Sequence, residues 1–285
     1  MRHSPGLARL PRLRLLLLLA VALCSLTPLA VHAGTPGAHP AAVQVVFSAQ
    51  VRAGAESLAL DGTVTVNRTG DMHLSVTLTN TERHTLDVIL VDDALYASAD
   101  GGAYEVGSVK QILGDLAGSL PSGLLNPAAT MSMALPASCL QPLIPSGAAG
   151  LQALSAAGIA VSQGDGGTIA GVATSLLSVH ADVARALASF GTLVRSVGMT
   201  CGLWQDDMAG LVQASSPQVQ QVFAGAALDI SVYSGQADDF PRRVSVALDL
   251  PNLPYSLQFR ADLTPLAAPV PIAPPANSTP VGSGR

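Results

Sequence analysis

Residues 91–106 read Val91-Asp-Asp-Ala-Leu-Tyr-Ala-Ser-Ala-Asp-Gly-Gly-Ala-Tyr-Glu-Val106, and the fold is decided here. Asp100-Gly101 supplies the positive φ that a tight hairpin needs, joining a strand at 94–98 to one at 103–106. Upstream, apolar side chains fall on every second residue: Val43, Val45, Phe47, then Leu58, Leu60, Val64, Val66. The pattern continues through Met72, Leu74, Val76, Leu78 and then Leu86, Val88, Leu90. A strand sends alternate side chains to opposite faces, so 43–106 is an antiparallel meander with one apolar and one wet face. The apolar face must be covered, and what covers it bears on function.

Alternation returns at Leu228, Ile230, Val232, then Val244, Val246, Leu248, then Tyr255, Leu257, Phe259, with Asp238–Arg243 as a turn. Between the two strand groups the signals are helical. Ser108-Val-Lys-Gln111 is a capping-box arrangement, followed by the stripe Ile112, Leu113, Leu116. Five prolines in 119–150 keep helices there short. The spacing of Ile169, Val172, Leu176, Val183, Leu187, Phe190 and Val194 predicts a helix over 168–199. Asp182 and Arg185 interrupt that run, so it does not read as a membrane span. Pro217 behind the cap Ser216 predicts a further short helix. Strands at both ends with helices between them describe an α+β domain over 43–264, carrying a helical insertion at 108–225.

The first 33 residues read as an address. Arg2, Arg9, Arg12 and Arg14 form a basic region before an apolar core from Leu13 to Ala22, too short for the roughly 20 residues of a span. Val31-His32-Ala33 precedes Gly34 as a signal-peptidase site requires. Cleavage there predicts a secreted or cell-envelope protein. The alternative is a lipoprotein anchored through Cys24, although Leu23 stands where a lipobox wants a small residue. Residues 34–42 read as a flexible leader. Residues 265–285 hold six prolines among small polar residues and are expected to be disordered.

Removing four arginines takes the formal net charge from −5 to −9. An acidic surface argues against nucleic acid. Hydrophobic residues make up 49% of the chain and charged residues 12%, so either the core is large or apolar surface is kept for a ligand. Cys139 and Cys201 are expected to pair in an oxidising compartment, a stabilisation of ~4 kcal/mol at most. Two buried free thiols are the alternative.

The signal sequence, the meander, "VDDALYASADGGAYEV", "VKQILGDLAGSL" and "ISVYSGQADDFPRRVSVALDL" together resemble the LppX/LprAFG group of envelope lipid-binding lipoproteins, within the wider LolA and LolB fold. The resemblance covers about 43–118 and 226–262. It rests on Leu95, Tyr96, Gly101, Gly102, Tyr104, Pro241 and Arg242, with Phe240 in place of a leucine. It implies a curved, unclosed antiparallel half-barrel with helices packed on its concave face around an apolar cavity. The middle segment 119–215 departs from the family pattern.

No catalytic constellation emerges. Lys110 is the only lysine and follows no P-loop, and no serine sits in a nucleophile elbow. His39, His73, His84 and His180 are scattered; a hydrolase would need His84 or His180 beside a serine and a carboxylate. Asp92-Asp93 and Asp238-Asp239 fit turns better than paired acids. The expectation is therefore a non-enzymatic carrier without a cofactor or metal. Its ligand is a lipid or other hydrophobic small molecule, and its partner classes are an envelope protein or a membrane transporter. The expected cavity wall is Phe47, Leu74, Val76, Leu86 and Val88, roofed by Leu113, Leu116, Leu176, Leu187 and Phe190. A protein-interaction or sensor module on the same scaffold is the rival reading.

Overall fold

The computed structural model describes residues 40–108, 147–189 and 216–280. Its strands are β1 (Ala42–Ala53), β2 (Glu56–Asn67), β3 (Met72–Thr79), β4 (Arg83–Val91), β5 (Ala94–Ala99) and β6 (Tyr104–Ser108). They continue with β7 (Ile159–Ile169), β8 (Val172–Asp182), β9 (Ala227–Gly235), β10 (Pro241–Leu250), β11 (Tyr255–Leu266) and β12 (Ser278–Pro280). All twelve lie in one curved, unclosed sheet of order β12-β6-β5-β4-β3-β2-β1-β11-β10-β9-β8-β7. Every pairing is antiparallel except that of β12 with β6. Two meanders thus meet at the centre, where β1 pairs β11 along its whole length from Ala42↔Leu266 to Ala53↔Tyr255.

The turns follow from residue type. Asp92 and Asp93 take φ of 50° and 62° between β4 and β5, and Asp100-Gly101 takes 52° and 70° between β5 and β6, the left-handed pairs a two-residue hairpin requires. The Asp238 carboxylate accepts the Phe240 N–H (3.1 Å) and the Arg242 guanidinium, fixing the turn into β10. Helix α1 spans Gly147–Ala156. Helix α2 spans Pro217–Val222, and its cap Ser216 accepts the Val219 N–H, as the sequence predicts.

Over 168–182 the expected helix is replaced by two strands and their turn. β7 ends at Ile169, Ala170 and Gly171 turn the chain with φ of 49° and 81°, and β8 runs to Asp182. Only 183–189 are helical among the described residues of 168–199, with the Asp182 carboxylate accepting the Arg185 N–H. The apolar spacing fits a helix, but β-branched Val172, Thr174 and Val179 suit a pleated surface, and pairing along β9 from Thr174↔Gly235 to Asp182↔Ala227 decides the outcome. The insertion at 108–225 is therefore not wholly helical: it contributes two strands. Ser108 closes β6, and the helix expected after it lies outside the described residues.

The tail at 265–280 is likewise ordered. Pro265 and Leu266 complete β11, the Asn67 side chain donates to the Val270 carbonyl (2.8 Å) and accepts its N–H (2.9 Å), and residues 278–280 pair with 104–106. Prolines bar the intervening segment from a ladder, yet an asparagine side chain can satisfy a lone peptide group where no strand does.

Candidate functional site

Register separates the two faces of the sheet cleanly. One transverse row runs Ala99, Leu86, Val76, Gly62, Phe47, Ala261, Val244, Val232, Leu177. A neighbouring row runs Leu78, Leu60, Ala49, Phe259, Val246, Ile230, Val179, Val161. Burial along these rows is lopsided. Leu78, Leu86, Phe47 and Leu60 are buried, Val244, Val232, Ile230 and Val179 are half-buried, and Leu177 and Val161 reach 36% and 37% exposure.

Of the expected cavity residues, Phe47, Leu74, Val76, Leu86 and Val88 are brought together in this one buried cluster. Leu176 is not. It lies on β8 opposite Tyr233, in register with Arg243 and Asp262, and so on the other face. Helical spacing assigned it to the wall; strand parity gives that position to Leu177, which the sequence reading missed along with Val179, Ile230, Val232 and Val244. Leu187 lies half-buried in the helical residues 183–189. Leu113, Leu116, Phe190, Cys139 and Cys201 lie outside the described residues, as do Cys24 and the signal segment.

The opposite face carries the charges. Asp262 accepts from Arg243 (2.5 Å) and from Arg260 (3.1 and 2.9 Å). Burial raises its carboxyl, but the two guanidinium hydrogen bonds outweigh that and hold it below the usual range. Asp87 lies between the Tyr104 phenol and the His73 ring (2.9 Å); its hydrogen bond with Tyr104 pushes that phenol up to about 12. His180 bonds Asp229 at 2.7 Å. His84 is the exception: paired with Leu78, it ends an apolar row at the sheet margin, where it bonds Asp100 at 3.1 Å, with Glu82 at 3.5 Å. Among the described residues neither His84 nor His180 is hydrogen-bonded to a serine, and no group of three metal-ligating side chains converges.

No family model matches the chain, and no curated protein does. Among solved structures it is similar to LprF from Mycobacterium bovis at 13% identity and a TM-score of 0.37, covering 84% of this chain and 90% of that one. It is similar to MucB at 14% identity and a TM-score of 0.28, covering 90% of this chain and 64% of MucB. A DUF1329 family protein from Desulfovibrio piger follows at 8% identity and a TM-score of 0.22, covering 88% and 92%. These likenesses bear on neither ligand nor partner. Among the described residues no helix is long and apolar enough to cross a membrane.

Proposed function

We propose that this chain is a non-enzymatic, extracytoplasmic binding protein that carries a lipid or another hydrophobic ligand against the apolar face of its sheet. One observation carries the reading. The apolar register continues unbroken across nine neighbouring strands from β5 to β8, yet it is sealed on β1–β4 and open toward β8. A core that only stabilised the fold would have little reason to extend its apolar rows to Leu177 and Val161, where water still reaches them. Alkyl chains suit such a surface without any polar motif. Each buried methylene contributes ~0.8 kcal/mol, so ten of them offset a large share of the cost of association.

The wall under this reading is Phe47, Leu74, Val76, Leu86 and Val88, continued by Val232 and Leu177. Leu113, Leu116, Leu187 and Phe190 are proposed to complete it, and Cys139 and Cys201 to cross-link the segments that hold them. Delivery to an envelope protein or a membrane transporter fits a carrier cleaved after Ala33. The test is uptake of a fluorescent fatty acid by the delipidated protein. Saturable uptake with an apolar emission shift is expected; a protein that stays dark at all ligand concentrations would overturn the reading.

A further inference from the structure

The wet face of the sheet holds two adjoining depressions of ≈ 510 and ≈ 490 Å³ that share Ser48, Asp61 and Arg260. Strand pairing builds the larger one from residues far apart in sequence. One row across it is Asp61, Ser48, Arg260, Ser245, Ser231, and the next is Ala59, Gln50, Gln258, Ala247, Asp229. The recess exists because serines and alanines stand where longer side chains flank them. Its polar groups are largely unspent. Among the described residues the side chains of Ser48, Gln50, Asp61, Ser245 and Gln258 make no hydrogen bond to another protein group, and all but Ser245 are exposed.

The charges select the ligand class. Arg260 is already answered by Asp262 at 2.9 Å, and Asp61 and Asp229 stand on either side of it. Phosphate or sulfate would meet two carboxylates there, and Arg260 is the one cationic side chain among the described residues that line the depression. Hydroxyl groups fit the inventory: carboxylates and amide oxygens accept from them, while the Gln50 and Gln258 amides, the serines and Arg260 donate. Adjacent strands lie about 4.8 Å apart, close to the length of one hexose unit, so a chain of sugars laid across the strands would meet one polar side chain after another. We infer that this trough binds a neutral, extended oligosaccharide, on the face opposite the apolar rows and independently of what those rows hold. Phe259 and Val246 line the trough but have the register of the apolar face, so ring stacking contributes nothing. The dissociation constant is accordingly on the order of 1 mM, as a few water-competed hydrogen bonds allow.

Amide chemical shifts of the full chain titrated with cellotetraose test this, with a sulfated tetrasaccharide and spermidine as charged comparators. Saturable shifts confined to residues near 48, 231, 245 and 260 are expected for cellotetraose alone. Ser245→Phe fills the floor and abolishes them, whereas Ser162→Phe, at the end of the same row on β7 and outside the trough, leaves them unchanged. Gln50→Ala with Gln258→Ala removes exposed side chains without adding bulk and weakens binding about tenfold. Absence of saturable shifts, tighter binding of either charged probe, or full binding by both trough variants would overturn the inference.

Discussion

The ring of Phe47 occupies the space that a side chain at Gly62 would fill, on the directly paired position of the neighbouring strand. A Cβ there would also lie 2.7 Å from the Ser75 carbonyl oxygen, which belongs to the backbone and cannot step aside. Gly62→Ala is therefore expected to destabilise the protein by about 1–3 kcal/mol through overpacking. Phe47→Ala should cost about 3–5 kcal/mol by leaving a cavity. Urea denaturation measures both, and equal stability of Gly62→Ala and the parent would show that the ring is not held there.

Asn67 is 6% exposed and bonds both peptide groups of Val270. Asn67→Ala strands those groups and is expected to cost about 1–3 kcal/mol. The sharper readout is limited proteolysis: cleavage within 267–277 should accelerate in the variant while the sheet stays intact. An unchanged cleavage pattern would mean that β12 alone holds the tail.

His84 and Asp100 make a pH-dependent pair across the β4–β5 hairpin. The Asp100 hydrogen bond raises the His84 pKa above 6.5, and the His84 bond lowers Asp100 below 3.8. The histidine's contribution is complete below pH 6.5 and is lost as pH rises through its higher folded value; the carboxylate's is complete above 3.8 and is lost as pH falls through its lower folded value. Stability should thus decline above pH 6.5 in the parent and decline less in His84→Gln. Melting temperatures taken from pH 5 to 8.5 check the sign, and parallel curves for the two proteins would remove the pair from the account.

Leu176 and Leu177 are neighbours in sequence on opposite faces of β8. Under the proposed function, Leu177→Asp places a charge on the apolar rows and should weaken fatty-acid uptake tenfold or more, about 1.4 kcal/mol. Leu176→Asp, on the wet face, should leave uptake near that of the parent. The reverse ranking would put the ligand on the other side of the sheet.

Much of this architecture is legible in the sequence because period-2 alternation and Asp-Gly turns are local signals: β1 to β6 and β9 to β11 follow from them directly. β7 is not legible. Its Ser162-Gln-Gly-Asp-Gly-Gly167 stretch carries no alternation, and the strand exists because β8 pairs with it. Ile169, Val172 and Leu176 fit two periods, and the choice between them is made by β9, more than fifty residues away. That choice also moves Leu176 off the apolar wall. β12 is three residues long and contains a proline, so only its docking site on β6 defines it. The polar trough has no linear signature at all, since Ser48, Asp61, Asp229, Ser245 and Arg260 become neighbours only when β1 meets β11.

Native mass spectrometry of the protein purified from its own host under non-denaturing conditions tests the carrier function most directly. A second mass series, displaced from the apoprotein by one bound lipid and removed by organic extraction, is the predicted result. A single apoprotein mass, from a protein that also takes up no added lipid, would contradict it.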